Sequence, residues 1–224
     1  MAVVLGAAAV LCAGPVQAQN REKAWEIFPY LGRVKFGGET TKKNLPGSDD
    51  VTVIKLADDT TFGLRFAYHL TKRHEIEFWF SSVSTTSGAT LFRTRLNMTT
   101  MMPETRVKSI QLKNDFVTGN GNYVFNFFPQ HRDKIVPFVT AGLGILDTST
   151  FGRSADLDLQ DLLNSIVKDE TSLLYNYGGG IRFFGSPKTG LRLDARRVHF
   201  YTNSGGHQAF YEFVVGVTLI LGGP

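Results

Sequence analysis

The sequence predicts an all-β protein, an eight-stranded antiparallel up-and-down transmembrane β-barrel. Aromatic residues and glycine are frequent, with 18 Phe, 7 Tyr and 23 Gly among 224 residues. This composition favours β-structure with close backbone approaches. Apolar and polar residues also alternate with a period of two in several segments. Long and short connections alternate along the chain, as they do in membrane barrels that have short turns at one end and longer loops at the other.

The first 18 residues are predicted to be a signal peptide. Residues 2–13 form an apolar run, and Val16-Gln17-Ala18 is a small-residue cleavage site. The run is too short to cross a bilayer as a helix. The remaining residues, 19–224, are predicted to form one barrel domain. The single cysteine, Cys12, lies in the signal segment, so the mature chain is expected to need no disulfide and to have no thiol chemistry.

Eight strands are predicted in order along the mature chain. In the second, Phe62, Leu64 and Phe66 share one face, while Arg65 lies on the other. A change of phase near Phe116 in the fourth strand predicts a bulge there. The predicted strands are 25–37, 62–70, 75–81, 109–127, 135–147, 172–184, 191–201 and 209–221.

The long connections are expected to carry the surface features of the protein. They span about 39–60, 83–107 and 148–171. Apolar residues at helical spacing predict one helix over 156–168, which either folds over the barrel mouth or contacts lipid headgroups or a partner. The second connection is basic, through Arg93, Arg95, Arg106 and Lys108. These charges would suit anionic lipopolysaccharide, although charges in loops are more often simply solvated.

Charged residues on the polar faces of the strands are predicted to fill the barrel interior. In the seventh strand, Leu-Arg-Leu-Asp-Ala-Arg at 191–196 places a charge at every second position. Buried charges must be paired, and this set contains both signs, so we expect a salt-bridge cluster that plugs the lumen instead of an open pore. His69 shares this face. The predicted cluster consists of Arg65, Glu75, Glu77, Arg182, Arg192, Asp194, Arg196 and Glu212.

One alternative is a soluble, lipocalin-like binder. In that arrangement the charges would coat the outside, and the aromatic faces of the strands would crowd the interior. Phe62, Phe78, Phe80, Tyr211 and Phe213 are among the residues that would then point inward.

The stretch YNYGGGIRFFGSPKTGLRLDARRVHF at 175–200, with IVPFVTAGLGIL at 135–146 and FYEFVVGVTLIL at 210–221, resembles the outer-membrane β-barrel domain family, small barrels similar to OmpA and OmpX. The resemblance implies a place in the outer membrane of a Gram-negative-type bacterium after signal-peptide cleavage. It implies outer-membrane lipid, lipopolysaccharide and the barrel-assembly machinery as partners. Leu221 stands where many members have a terminal aromatic residue. The expected role is non-enzymatic, with long extracellular loops for surface interaction or envelope integrity.

His199 is the one candidate for catalysis. Lipid A deacylases of similar architecture carry a histidine and a serine two residues apart, but here Tyr201 takes the serine position and Ser204 lies five residues away. A deacylase-like barrel hydrolase using His199 is therefore the second functional hypothesis, and an interfacial aromatic belt is the structural alternative. No cofactor or metal is predicted, because the histidines lack ligand spacing. Nucleic acid is not predicted as a partner, because no cluster of Lys and Arg interleaved with aromatics occurs.

Overall fold

We analysed a computed structural model, which describes residues 22–36, 41–44, 51–97, 102–127, 134–151, 170–201 and 207–222. The predicted signal peptide and the predicted helix at 156–168 lie outside these residues. The described strands are β1 (Ala24–Phe36), β2 (Thr41–Asn44), β3 (Val51–Leu56), β4 (Asp59–His69), β5 (His74–Asn97), β6 (Met102–Asn126), β7 (Ile135–Phe151), β8 (Glu170–Phe184), β9 (Thr189–Tyr201) and β10 (His207–Gly222).

Eight of these strands close into one antiparallel barrel. Around the ring the order is β1, β4, β5, β6, β7, β8, β9 and β10, and β10 pairs with β1 to close it. Ala24 of β1 pairs with Gly222 of β10 at the rim that also carries the short connections after β4 and β8. The predicted eight-stranded barrel is confirmed. Over the described part of the chain, no helix is long and apolar enough to span a bilayer.

The first two long connections contain further β-structure. The β5–β6 pairing runs without interruption from His74↔Phe125 to Asn97↔Met102, and β3 pairs with β5 and β2 with β3. The prediction that 39–60 and 83–107 are loops is therefore wrong in part, because a four-stranded sheet extends beyond the barrel rim. The segments VTVIKL and STTSGATLF are rich in β-branched residues, which favours this conformation. The side chains of the four basic residues predicted for the second loop lie outside the described residues.

The bulge predicted near Phe116 is also wrong. Each residue of β6 from Lys113 to Phe125 pairs in continuous register with both β5 and β7. Phe116 faces inward in phase with Asn114 and Thr118, while Val117 faces outward. The apparent change of phase arose because the barrel interior accepts both polar and apolar residues along this strand.

The outer surface of the barrel is apolar. Phe62 is 60% exposed, Phe80 is 54% exposed, and Phe78 and Phe213 are each 50% exposed. A water-soluble barrel would bury these rings, so the lipocalin-like alternative is wrong. The outward aromatic and aliphatic residues instead form the lipid-facing band that membrane barrels carry.

The interior has three regions along the barrel axis. Apolar side chains fill the region toward the rim with the long connections, among them Phe36, Phe116, Phe200 and Phe210. A second apolar cluster lies at the opposite rim and contains Ala24, Val136, Phe184 and Ile220. Charged side chains occupy the space between the two clusters, and they form the candidate site.

Candidate functional site: the ion-paired lumen

Strand alternation directs the charges of β9 into the lumen. Arg192, Asp194 and Arg196 are buried, whereas Leu193 and Ala195 between them are exposed on the outer face. The pairing of β9 with β8 and β10 keeps this orientation along the whole strand. Three charged groups two residues apart thus form a column inside the barrel.

Asp194 is the centre of this column. Its Oδ2 atom lies 2.9 Å from Nη2 of Arg192 and 3.0 Å from Nη2 of Arg196, and it also contacts Nη1 of Arg65. The Arg196 Nε–H donates to Oδ1 at 3.2 Å. One carboxylate therefore compensates three guanidinium groups from two strands. Charge-assisted hydrogen bonds of this kind are about twice as strong as neutral ones.

Glu77 and Glu212 provide the remaining acceptors for these arginines. Oε1 of Glu77 on β5 accepts a hydrogen bond from Nη2 of Arg196 at 2.7 Å, and Oε2 forms an ion pair with Nη2 of Arg192 at 2.8 Å. Glu212 of β10 lies 3.2 Å from Nη2 of Arg65. The cluster thus links β4, β5, β9 and β10 across the lumen, and not only neighbouring strands.

A second group of charges lies toward the rim with the short turns. Arg182 of β8 contacts Glu75 at 2.7 Å and Glu26 at 3.3 Å, and its Nη1–H donates to Oδ1 of Asn126 at 2.6 Å. His69 lies between the same two carboxylates, with Nε2 at 3.1 Å from Glu26 and Nδ1 at 3.0 Å from Glu75. A histidine that donates from both ring nitrogens is an imidazolium.

With that assignment the buried charges balance. The described lumen contains five carboxylates and four guanidinium groups, so a protonated His69 brings the net charge to zero. All ten side chains belong to residues that are at most 5% exposed. They are Glu26, Glu75, Glu77, Asp194 and Glu212, with Arg65, Arg182, Arg192, Arg196 and His69.

Aromatic rings surround the guanidinium groups. The Arg65 guanidinium lies 4.6 Å from the ring centroid of Tyr30 and 5.1 Å from that of Trp79. The Phe138 ring lies 4.4 Å from the guanidinium of Arg192 and 4.5 Å from that of Arg182. Cation–π contacts are stronger when the cation is desolvated, so these rings add to the compensation that the carboxylates provide.

Glycines on β8 provide the space for this packing. Gly178 and Gly180 face the lumen in phase with Arg182. A Cβ atom at Gly178 would lie 2.7 Å from Cα of Arg196, and one at Gly180 would lie 2.7 Å from the Phe138 ring. Close approach inside the barrel therefore explains the glycines at 178 and 180.

The cluster also contains the one group of three ligand-type residues found among the described residues. Ligand atoms of Glu26, His69 and Glu75 all lie within 4.8 Å of one another. Arg182 already contacts both carboxylates, and Arg192 contacts Glu26 at 3.3 Å. A divalent cation would have to displace these guanidinium groups or lie against them. The donor set therefore fits an ion-pair network better than a metal site.

His199 lies on the other side of the barrel wall. It points outward near the rim with the long connections, and its ring stacks on Tyr175 at 4.6 Å between centroids. Nδ1 of His199 lies 3.0 Å from Nε2 of His207. Among the described contacts of His199 there is no serine and no carboxylate, so the arrangement matches the aromatic belt and does not assemble a catalytic dyad.

The comparisons with known proteins agree with this geometry. Residues 4–220 match the family described as outer membrane protein beta-barrel domain. The chain belongs to this family. The match covers nearly the whole sequence, including the segment from which the family resemblance was first drawn. A search among curated proteins found no significant match.

Solved structures of small outer membrane barrels share the fold. Outer membrane protein OprG from Pseudomonas aeruginosa is 10% identical with a TM-score of 0.53, and the match covers 92% of this chain and 99% of OprG. Neisserial surface protein A is 11% identical with a TM-score of 0.53, covering 87% of this chain and 96% of that one. The outer membrane enzyme PagL is 12% identical, covering 87% and 98%, but its TM-score of 0.37 supports no argument about catalysis.

Sequence reasoning brought eight of the ten charged residues together as one cluster and placed His69 on the same face. It missed Glu26, because Pro29 and apolar residues on both faces made the phase of β1 ambiguous. The spacing of Glu26, Phe28 and Tyr30 could have revealed it, because residues at every second position of a strand face the same side. The aromatic residues around the arginines were also missed, because the polar face alone was assigned to the lumen.

Proposed function

We propose that this protein is a non-enzymatic, non-conducting integral barrel of the outer membrane that presents an extracellular β-sheet. The observation that carries the proposal is the ion-paired lumen. Ten charged side chains, each from a residue at most 5% exposed, cross the barrel between two apolar clusters. A water-filled pore needs solvated side chains along its length, whereas these groups are bonded to one another.

The experiment is electrical recording across a planar lipid bilayer. Protein refolded in detergent is added to both chambers, and insertion is checked separately by flotation with vesicles. We expect no stable single-channel steps from the wild type. A control variant, Asp194→Gly combined with Arg196→Gly, removes two lumen side chains and should increase leakage. Regular conductance steps from the wild type would overturn the proposal.

The proposed environment is the outer membrane of a Gram-negative-type bacterium, reached after cleavage of residues 1–18. The family and fold support the outer membrane, and the cleavage is a prediction from the sequence. Mass spectrometry of the protein purified from membranes tests it, because the mature chain should begin at Gln19. We propose lipopolysaccharide and outer-membrane lipid as its surroundings and the barrel-assembly machinery as its insertion route.

The sheet formed by β2, β3 and the outer parts of β5 and β6 is the proposed presenting element. It continues the barrel wall past Lys113, where β6 loses its pairing with β7. Such a projection is suited to surface interaction or to envelope integrity. The described residues of this sheet do not identify the chemistry of an extracellular partner.

A lipid A hydrolase is the weaker proposal, because the described surroundings of His199 are aromatic and contain no nucleophile or acid. Incubation of the folded protein with lipid A, followed by measurement of released fatty acid, tests it. We expect no release. Release that is abolished by His199→Ala would replace our proposal with an enzymatic one.

A further inference from the structure

A groove runs along the lipid-facing surface of β8, β9 and β10. Its volume is about 460 Å³, within the range of small-molecule sites. Gly179 and Ala195 pair across β8 and β9 and form the floor of the groove, which is close to the backbone because neither residue has a large side chain. Phe213 forms one wall. Leu193, Ile181 and Val215 continue it toward the middle of the membrane. The shape and the apolar lining match an acyl chain.

Cations lie directly above this groove. One register step toward the extracellular rim, Arg197 pairs with Tyr177 on one side and with Tyr211 on the other. Tyr211 in turn pairs with Lys35 of β1. Arg197 and Lys35 are thus separated by one strand, about 10 Å between backbones, with the Tyr211 ring between them. Arg33 lies one step lower, beside Phe213.

Polar atoms at this position lack partners. Nε of Arg197 is buried without a hydrogen bond, and the guanidinium is held over the Tyr211 ring at 5.2 Å. Two residues further along β9, Nε2 of His199 is buried without a hydrogen bond, and His199 itself is only 6% exposed. Buried donors normally find an acceptor, so an anionic group next to Arg197 would satisfy its Nε–H.

The described charged side chains on this outer face, those of Arg33, Lys35 and Arg197, are all positive. At the described outward-facing positions of β1, β8, β9 and β10 there is no aspartate or glutamate. On β6 and β7, the next strands around the barrel from β8, the outer rim carries Asp115 and Asp147, and Lys113 there is paired with Asp115 at 3.5 Å. The described cations without an acidic neighbour on this surface therefore lie on β9 and β1, on either side of β10 and next to the groove.

We propose that this face binds one phosphorylated lipid of the outer leaflet, the lipid A part of lipopolysaccharide. One acyl chain lies in the groove, and phosphate contacts Arg197 and Lys35. The proposal rests on the outer-membrane placement in the proposed function, but not on the closed lumen. It differs from the hydrolase hypothesis, because the lipid is held and not cleaved.

The test uses full-length mature protein refolded in detergent micelles, with folding verified by its heat-dependent mobility in SDS. Native mass spectrometry measures binding of bisphosphorylated lipid A, of lipid A from which phosphate has been removed, and of inorganic phosphate. Two charge variants, Arg197→Gln alone and with Lys35→Gln, are compared with Lys113→Gln on β6 at the same rim. Ala195→Leu fills the groove, and Gly121→Leu adds the same side chain on β6, where a Cβ meets nothing within 4 Å.

We expect one lipid A bound per barrel. Since each basic residue near a lipid surface contributes about 1 kcal/mol, Arg197→Gln should weaken binding about fivefold and the double variant about 25-fold. Ala195→Leu should also weaken binding, while both control variants should match the wild type. Equal affinity of the wild type and the double variant for lipid A would overturn the proposal. A loss of affinity in Lys113→Gln as large as that in Arg197→Gln would also overturn it. Inorganic phosphate binding as well as lipid A would also contradict a lipid site. Lipid A binding and bilayer conductance are measured independently, so this proposal can fail while the proposed closed lumen stands, and the reverse.

Discussion

Neutralising Asp194 should destabilise the barrel more than any comparable change on its surface. Asp194→Asn keeps the shape of the side chain but removes the negative charge shared by Arg65, Arg192 and Arg196. Removing one partner of a buried ion pair costs about 3–5 kcal/mol. Glu77 still contacts Arg192 and Arg196 at 2.8 and 2.7 Å, which favours the lower end, about 3 kcal/mol.

The assay is reversible unfolding in denaturant of protein reconstituted in lipid vesicles, followed by tryptophan fluorescence. The matched control is Asp115→Asn, because the Asp115 side chain is 35% exposed and pairs with Lys113 at 3.5 Å. Exposed pairs contribute about 0–1 kcal/mol, so the control should stay close to the wild type. Adding Arg196→Gln to Asp194→Asn restores charge balance and should recover part of the loss, with a coupling free energy of about 0.5–3 kcal/mol. A loss below about 1 kcal/mol for Asp194→Asn, equal to that of the control, would refute the ion-paired lumen.

Three further predictions test the glycine packing in the lumen, the lipid-facing surface and the projecting sheet. Gly178→Ala should impair folding, measured by heat-dependent mobility in SDS, because its Cβ would lie 2.7 Å from Cα of Arg196, whereas Gly121→Ala should fold normally. Phe78→Arg should destabilise the barrel in vesicles by about 2–4 kcal/mol, because Phe78 is 50% exposed to lipid, and Ser84→Arg above the apolar band should cost less than about 1 kcal/mol. Replacing 88–111 by a short turn should leave the barrel folded, because the β5–β6 pairs below it remain; loss of the heat-modifiable band would show that the projecting sheet is required.

Strand β9 shows how much the sequence determined in advance. Its charges at every second position and its aliphatic residues between them left two orientations open, and the aromatic faces of the other strands decided between them. Ring crowding predicted the right orientation for Phe62 and Phe80 but is not its physical cause, since one buried cluster of the described lumen alone contains seven aromatic residues. The cause is the pairing of buried charges, which needs the polar faces of several strands to meet inside the barrel. The strand number and the sorting of short and long connections then predicted the barrel and its closure.

The parts that escaped prediction depend on contacts between distant segments. The projecting sheet requires β3 to pair with the outer part of β5, and polar, threonine-rich segments carry little period-two signal of their own. Glu26 joins the cluster only because the register of β1 against β4 and β10 fixes its phase. The groove beside Ala195 likewise appears only when Gly179 of the neighbouring strand is placed next to it.

Tryptophan quenching tests the central claim most directly, because the chain contains two tryptophans on opposite sides of the barrel wall. Trp79 lies in the lumen with no exposed surface, and Trp25 is 51% exposed on the outer face. In vesicles, the Trp25→Phe variant should report Trp79 alone, and we expect little quenching by either acrylamide in water or brominated lipid. The Trp79→Phe variant should report Trp25 and be strongly quenched by brominated lipid. Strong acrylamide quenching of Trp79 would show a water-filled lumen and contradict the account.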